Sequence, residues 1–248
     1  MSSGMASVAG SILAGYAGLG VKMDYLLAAS FMAIPGGLLF AKIICPSTAK
    51  STVEFTNVGF DERRPANVIE AAASGVSVGL AIAVNVGAML IAFIGLIALA
   101  DGIVGGIFGW FGHPEWTLEF IFGLIFSPLA WLIGVPWKDA QIVGNFLGQK
   151  MILNEFVAYV NLSPYLKDPA SVAAAGLSVL SAKTLAIVSF ALCGFANFSS
   201  IAILAGGFSA VAPERRSEVA RYGVRVVIAG TLSNLMSATI AGVFLSLH

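Results

Sequence analysis

The sequence predicts an all-α, polytopic membrane protein. The chain has 248 residues, of which 58% are hydrophobic and only 10% are charged, and its mean hydropathy is +0.92. Soluble domains carry about 25% charged residues, so this composition belongs to the membrane class. Several runs also reach the roughly 20 mostly apolar residues that a membrane helix needs.

The charge balance and the cysteines exclude other classes. Thirteen basic and thirteen acidic residues cancel, which leaves no charge field suited to nucleic acid. Cys45 and Cys193 lie at the end of and inside apolar runs, and we interpret both as small buried thiols. The first twenty residues lack the basic n-region of a signal peptide. Their composition is typical of the interior of a membrane helix with small residues. Because the sequence then begins inside a helix, we expect the chain to be a fragment of a longer protein.

The expected elements follow the apolar runs in order. We predict a first helix over Met1–Gly20, a second over Asp24–Cys45 that is broken at Pro35, and a polar loop over Pro46–Pro65. Asn67–Ala100 starts as an interfacial helix and crosses from about Gly79, followed by a Gly-rich turn region at Asp101–Glu115. The remaining expected segments are Trp116–Val135, which Pro136 ends, Ala140–Leu162, the interrupted run Ala170–Ala212, and a final crossing over Val226–His248.

The basic residues predict the orientation. The regions 42–64 and 215–225 carry lysines and arginines and should be cytoplasmic. Counting crossings then places both 101–115 and 163–181 outside. The segment 116–162 therefore leaves the outside and returns to it, either as two full crossings or as a re-entrant hairpin.

Glu155 is the strongest candidate functional residue, because a charge in a membrane segment is expensive. If 141–159 is one helix, Glu155 shares a face with Gly144 and Gly148, which would place a carboxylate over a glycine-lined groove. That arrangement suits a small polar ligand. It equally suits a structural ion pair between Glu155 and a lysine or arginine of a neighbouring helix.

A second polar cluster interrupts the apolar run at "CGFANFSS", residues 193–200. Asn197, Ser199 and Ser200 could simply bond back to their own helix or to a neighbour. Their density favours local unwinding, which is tolerated at membrane depth only where backbone lines a cavity or is buried in protein. Broken helices of this kind form binding sites in transporters.

The first apolar segment also carries small polar residues, Ser7, Gly10 and Ser11. Taken alone, they favour helix packing. The alternative is that the serine hydroxyls and freed carbonyls bind a hard cation such as sodium.

Five motifs together identify a family resemblance. "GMASVAGSILAGYAGLGV", "YLLAASFMAIPGGLLFAKI", "GQKMILNEFVAY", "CGFANFSSIAI" and "PERRSEVARYGVR…AGTLSNLMSATIAG" resemble, in this order and over essentially the whole chain, the C-terminal half of the concentrative nucleoside transporters. The resemblance implies a nucleoside–cation symporter that works as a homotrimer in the inner membrane. It also implies an inverted-repeat transport domain with re-entrant hairpins and unwound transmembrane helices, in which residues from about 116 to 159 resemble the second hairpin.

The resemblance also implies site residues. Glu155 matches the acidic residue that holds the ribose hydroxyls, because a carboxylate can accept from two adjacent hydroxyl donors. Asn197 and Ser200 match ribose-binding residues of an unwound helix, and Phe195 lines the same pocket. Ile12 matches an apolar wall beside the base.

The cation site is only partly present by this resemblance. Ser7 and the carbonyl of Val8 match part of a sodium site. The Gly-Gln-Thr-Glu stretch of the family's first hairpin does not occur here and should lie upstream of Met1, so the chain 1–248 resembles the C-terminal part of the transport domain with adjoining scaffold helices. We expect that it cannot transport alone, and the coupling ion, sodium or proton, stays open. No further cofactor is implied.

Two other classes compete with transport. An intramembrane enzyme would need a nucleophile–base pair or a metal set, and the apolar segments contain no histidine, so we do not expect an enzyme. The main alternative is a structural or assembly subunit of the membrane whose polar residues serve packing only.

Overall fold

The computed structural model describes residues 1–46, 65–113, 116–201, 203–204 and 216–247. These residues form helices and connecting turns without a β-strand. The chain divides into two compact units, Met1–Pro46 with Glu115–His248 and the intervening Ser47–Pro114. The first unit contains α1 (Ser2–Ala6), α2 (Gly10–Gly18), α3 (Met23–Ile44), α5 (Leu118–Leu132), α6 (Trp137–Ile152), α7 (Glu155–Leu162), α8 (Pro169–Ala174), α9 (Ala182–Leu192) and α10 (Arg216–Phe244), and the second contains α4 (Val68–Trp110).

The first apolar segment is two helices, not the single helix that we predict from the sequence. α1 ends at Ala6, and Ser7 and Ala9 have extended backbone before α2 begins. The segment holds no proline, so composition alone gives no sharp signal for this break. We call residues 7–9 the first break.

α3 continues through Pro35, so the predicted interruption of the second segment is wrong. The two glycines after the proline serve close packing instead. A Cβ on Gly37 would lie 2.6 Å from the Cα of Ser3 in α1, and one on Gly36 would meet the Ser233 hydroxyl of α10. The glycines therefore let three helices approach each other closely.

α4 is one continuous helix of 43 residues that ends at Trp110. The turn region predicted for 101–115 is therefore wrong for residues 101–110, which are helical. Its glycines do not end it, as glycine is a common helix residue in membranes. Asn67 caps its start, with the side chain accepting from the amide of Glu70 at 2.8 Å. Most of the polar loop predicted for 46–65 lies outside the described residues.

α5 and α6 form a bent pair with an angle of 117° between them. The turn at 133–136 contains Gly134 with φ +102°, a conformation that favours glycine. Pro136 precedes the first residue of α6, as the sequence predicts. A Cβ on Gly144 would lie 2.7 Å from Ser127 N, so the predicted glycine groove is filled by α5.

The segment 140–162 is broken, which corrects the continuous helix assumed for the face around Glu155. α6 ends at Ile152, and Asn154 caps the start of α7 by accepting from the amide of Val157 at 2.9 Å. Glu155 is therefore the first residue of a new helix. The prediction that Glu155 shares a helix face with Gly144 and Gly148 is therefore wrong.

The interrupted apolar run is unwound, as the sequence predicts. α9 ends at Leu192, residues 193–198 are non-helical, and helix resumes at Ser199. We call residues 193–198 the second break. The part of the predicted run from 205 to 212 lies outside the described residues.

The core of the first unit lies around the two breaks. Tyr16, Leu26, Tyr159, Ile187 and Leu192 are fully buried there. Within the described residues, Met23–Ile44 and Arg221–Phe244 are long and apolar enough to cross a membrane, and the bent α5–α6 pair is a broken span or re-entrant loop. The predicted all-α membrane fold with a re-entrant hairpin and unwound helices is confirmed.

Candidate functional site

The two breaks lie against each other. A Cβ added to Gly194 in the second break would fall 2.6 Å from the carbonyl oxygen of Ala6, which precedes the first break. It would also collide with the side-chain amide of Asn234 in α10. Glycine at 194 therefore permits a contact between the two irregular backbones that no larger residue allows.

Glu155 is the first residue of α7 and contacts the second break. Its side chain is 3% exposed. Tyr16 of α2 donates its hydroxyl to Oε1 at 2.9 Å, and Asn197 of the second break donates its amide Nδ2 to Oε2 at 3.2 Å. The carboxylate thus connects α7 to α2 and to the second break through hydrogen bonds to neutral donors, and among the described residues it forms no ion pair of the kind that was the alternative.

Asn197 serves two roles at once. Its Oδ1 accepts from the amide of Ser200 at 2.9 Å and from the hydroxyl of Ser199 at 2.7 Å, which caps the helix that resumes at Ser199. Its Nδ2 is left for Glu155. The sequence left two possibilities for Asn197, a hydrogen bond within its own segment or a role in a binding site. The structure shows the local hydrogen bonds together with a contact between Asn197 and Glu155.

Ser200 lies in the same cluster, and it is fully buried. Its hydroxyl is within hydrogen-bonding distance of both Asn197 Oδ1, at 2.8 Å, and the carbonyl of Phe195. A hydroxyl has one proton, so it donates to one of these acceptors at a time. The structure brings Glu155, Asn197 and Ser200 together, as predicted.

The other predicted site residues, which are Ser7, Val8, Ile12 and Phe195, line a separate cavity. A cavity of about 360 Å³ is lined by Gly4, Ser7, Val8, Ala9, Ile12 and Phe195. Small-molecule pockets commonly measure about 300–1,000 Å³, so this volume suffices for a small ligand. Glu155 and Asn197 lie outside this lining and close to it, since Phe195 and Asn197 are two residues apart.

Three buried polar residues, Tyr16, Lys150 and Asn234, are not identified as candidates from the sequence alone. Tyr16 touches Glu155 directly, while Lys150 and Asn234 bond to each other at 2.9 Å. A lysine within an apolar segment five residues before Glu155 is itself a signal of buried charge. Tyr16 and Asn234 have no such signal, because their partners come from distant parts of the chain.

This fold and this site define a class: a helical, multi-pass membrane protein whose broken helices surround a buried carboxylate, as in secondary transporters. The profile of a family described as "Na+ dependent nucleoside transporter C-terminus" matches residues 25–242. The chain therefore belongs to this family, which consists of transporters and not of enzymes.

Related proteins and a solved structure agree with this assignment. An uncharacterized transporter of Haemophilus influenzae is 56% identical over 248 residues, covering 100% of this chain and 58% of the relative. The putative nucleoside permease NupX of Escherichia coli is 55% identical over 245 residues, covering 99% and 57%. The structure of CNTnw in an inward-facing substrate-bound state shares 56% identity and a TM-score of 0.88, over 99% of this chain and 56% of that one. The chain thus spans a little over half the length of these relatives.

Proposed function

We propose that this chain is the C-terminal part of a nucleoside–cation symporter, comprising the C-terminal part of its transport domain with adjoining scaffold helices. The observation that carries the proposal is Glu155, a buried carboxylate held between Tyr16 of α2 and Asn197 of the second break. Buried charges in membrane segments mark substrate pathways. The relatives named as nucleoside permeases support nucleoside as the substrate.

The carboxylate retains capacity for a ligand although both of its oxygens already accept protein donors. An ionised carboxylate offers about four lone-pair sites, and Tyr16 and Asn197 use two of them. The remaining acceptor capacity can be used by the adjacent hydroxyls of a ribose. We therefore assign Glu155, Asn197 and Ser200 to the ribose, and Phe195 and Ile12, which line the neighbouring cavity, to an apolar wall beside the base.

The cation is the second substrate, and its ligands belong to the first break. Ser7 and Val8 line the cavity, and Ser7 has extended backbone, which frees oxygens that a hard cation prefers. The family description favours sodium, with a proton as the alternative. In this proposal, further cation ligands come from the part of the full-length transporter that this chain does not include, since the chain spans 58% of a relative's length.

The assembled protein is proposed to be a homotrimer in the cell inner membrane, without a nucleic-acid partner. α4 carries exposed apolar side chains along its length, including Val76, Ile91 and Ile103. Such a surface is compatible with lipid and with further protomers.

Uptake by the full-length transporter tests the proposal. Glu155→Gln preserves the shape of the side chain but removes the negative charge and replaces one acceptor oxygen by an amide donor, so one of the donors Tyr16 and Asn197 loses its acceptor and the capacity to accept from ribose hydroxyls falls. We expect nucleoside uptake to be lost while membrane insertion stays intact. Glu70→Gln, in an exposed carboxylate at the start of α4, is the control and should leave uptake unchanged. Uptake near the parental rate in Glu155→Gln would refute the ribose role and favour a structural subunit.

A further inference from the structure

The two breaks leave backbone carbonyls without helical partners. The last four carbonyls of a helix have no intrahelical donor, and a bilayer offers no water to replace it. Ala191 lies in the last turn of α9, Cys193 follows that helix, and Ala6 ends α1. Ala6 directly precedes Ser7, and Ala191 and Cys193 lie four and two residues before Phe195, so the groups that satisfy these oxygens also influence where the proposed ligand segments lie.

Lys150 and Asn234 satisfy these three carbonyls. The Lys150 ammonium donates to Ala191 O at 2.7 Å and to Asn234 Oδ1 at 2.9 Å. The Asn234 amide donates to Ala6 O at 2.7 Å and to Cys193 O at 2.8 Å. The two side chains are 3% and 1% exposed, so this pair joins α6, α10 and both breaks through four buried hydrogen bonds.

The direct partners of the Lys150 ammonium are oxygens of neutral groups. Among the described residues, no carboxylate forms a direct ion pair with it, although Glu155 lies near enough to interact with it electrostatically. The partners of the ammonium are an amide oxygen and a carbonyl at the negative end of the α9 dipole, where a cation is favourable. The neighbouring Met151 carbonyl accepts from the Phe198 amide at 3.2 Å, so the end of α6 contacts the last turn of α9 through Lys150 and the far edge of the second break through Met151.

We propose that Lys150 and Asn234 are positioning residues that couple cation binding to nucleoside binding. This inference rests on the proposed function. The Asn234 amide connects Ala6, directly before the cation ligands Ser7 and Val8, to Cys193, two residues before Phe195. A shift of one break on cation binding is therefore transmitted to the other through a single side chain. Coupling of this kind is a free energy between two sites, usually equivalent to a 5–150-fold change in affinity.

The test measures this coupling in the full-length transporter. The nucleoside dissociation constant is determined at low and high sodium, and at two pH values, so that the coupling cation of the parent protein is identified. Asn234→Asp keeps the acceptor for Lys150 but removes both donors to the breaks. We expect the enhancement of nucleoside affinity by the cation to fall at least fivefold. Asn234→Ser, which is neutral and smaller, carries the same expectation should the aspartate variant fail to fold.

Two further variants separate the possible outcomes. Asn161→Asp makes the same change in a side chain that donates to Gln149 at 2.7 Å and touches neither break, and its coupling should match that of the parent. A general loss of stability would lower the unfolding temperature without changing the cation enhancement, and that result would overturn the inference. Glu155→Gln reports on the proposed function separately. If it abolishes nucleoside binding while both Asn234 variants keep the full cation enhancement, the function stands and the coupling role is wrong.

Discussion

The hydroxyl of Tyr16 donates a 2.9 Å hydrogen bond to Oε1 of Glu155, 139 positions further along the chain. The Tyr16 side chain is fully buried, and its ring lies 4.4 Å from that of Tyr159, centroid to centroid. Packing of the ring leaves the hydroxyl little freedom, so the bond fixes one oxygen of the carboxylate. Asn197 fixes the other. The orientation of the Glu155 carboxylate, the proposed ribose-binding group, is thus determined by one residue of α2 and one residue of the second break.

Tyr16→Phe should therefore weaken nucleoside binding without removing the carboxylate. A hydrogen bond to a charged group is worth about 1.5–3 kcal/mol, and 1.4 kcal/mol is a factor of ten in affinity. We expect the dissociation constant of the full-length transporter to rise about tenfold or more, measured by equilibrium binding.

Tyr159→Phe is the matched control for that experiment. Tyr159 is equally buried, lies in the same ring pair, and donates to the carbonyl of Ser189 at 2.7 Å rather than to Glu155. It should lower stability and leave nucleoside affinity close to the parental value. Equal losses of affinity in the two variants would show that the aromatic pair matters only for packing.

The sequence indicates well where polar groups interrupt apolar runs. It indicates less well where individual helices end. The density of small polar residues at 193–200 predicts the second break correctly. Pro136 predicts that the preceding segment ends, but only the family resemblance favours a hairpin there. The break before Asn154 carries an ordinary N-cap residue, which could have been recognised. Helical periodicity across that break instead placed Glu155 on the wrong face.

Other features depend on contacts that a single sequence does not contain. The first break at 7–9 has neither proline nor a charged residue, and it is stabilised by Asn234, more than 220 positions away. Tyr16, Lys150 and Asn234 meet their partners only in the folded protein. The chemistry of the candidate ligands could therefore be predicted, whereas the residues that hold them in place could not.

Asn197→Asp should reduce nucleoside binding strongly. The aspartate keeps the oxygen that caps the helix at Ser199, but it replaces the donor toward Glu155 by a second carboxylate within about 3.2 Å. Like charges at this distance in a buried site are unfavourable. We expect a loss of more than tenfold in affinity by equilibrium binding.

A neighbouring substitution of the same kind tests whether charge alone is responsible. Asn154→Asp introduces a carboxylate next to Glu155, but at the N-terminus of α7, where aspartate caps as well as asparagine. It should change affinity little. A comparable loss in both variants would contradict the specific contact between Asn197 and Glu155.

Gly144→Ala should destabilise the hairpin. The new methyl group would lie 2.7 Å from the backbone of α5 at both Gly123 O and Ser127 N, and overpacking of this kind costs about 1–3 kcal/mol. We expect a lower midpoint of thermal unfolding for the full-length transporter in detergent. Gly18→Ala is the control, because a Cβ at Gly18 meets nothing within 4 Å, and it should leave the midpoint unchanged or slightly raised.

Thr184→Val should also lower stability, through the start of α9. The Thr184 hydroxyl, fully buried, donates to Oδ2 of Asp139 in the first turn of α6 at 2.9 Å, and so connects the hairpin to the helix that leads into the second break. Valine keeps the shape of the side chain and removes the donor. The Asp139 carboxylate, which is 4% exposed, then loses a hydrogen-bond partner, at a cost of about 1–3 kcal/mol.

Thr239→Val is the control variant. The Thr239 hydroxyl donates to the carbonyl of Leu235 within its own helix, so its removal leaves no carboxylate without its donor. Thermal unfolding should show a clear decrease for Thr184→Val and a small one for Thr239→Val, and equal decreases would mean that the contact with Asp139 adds nothing to stability.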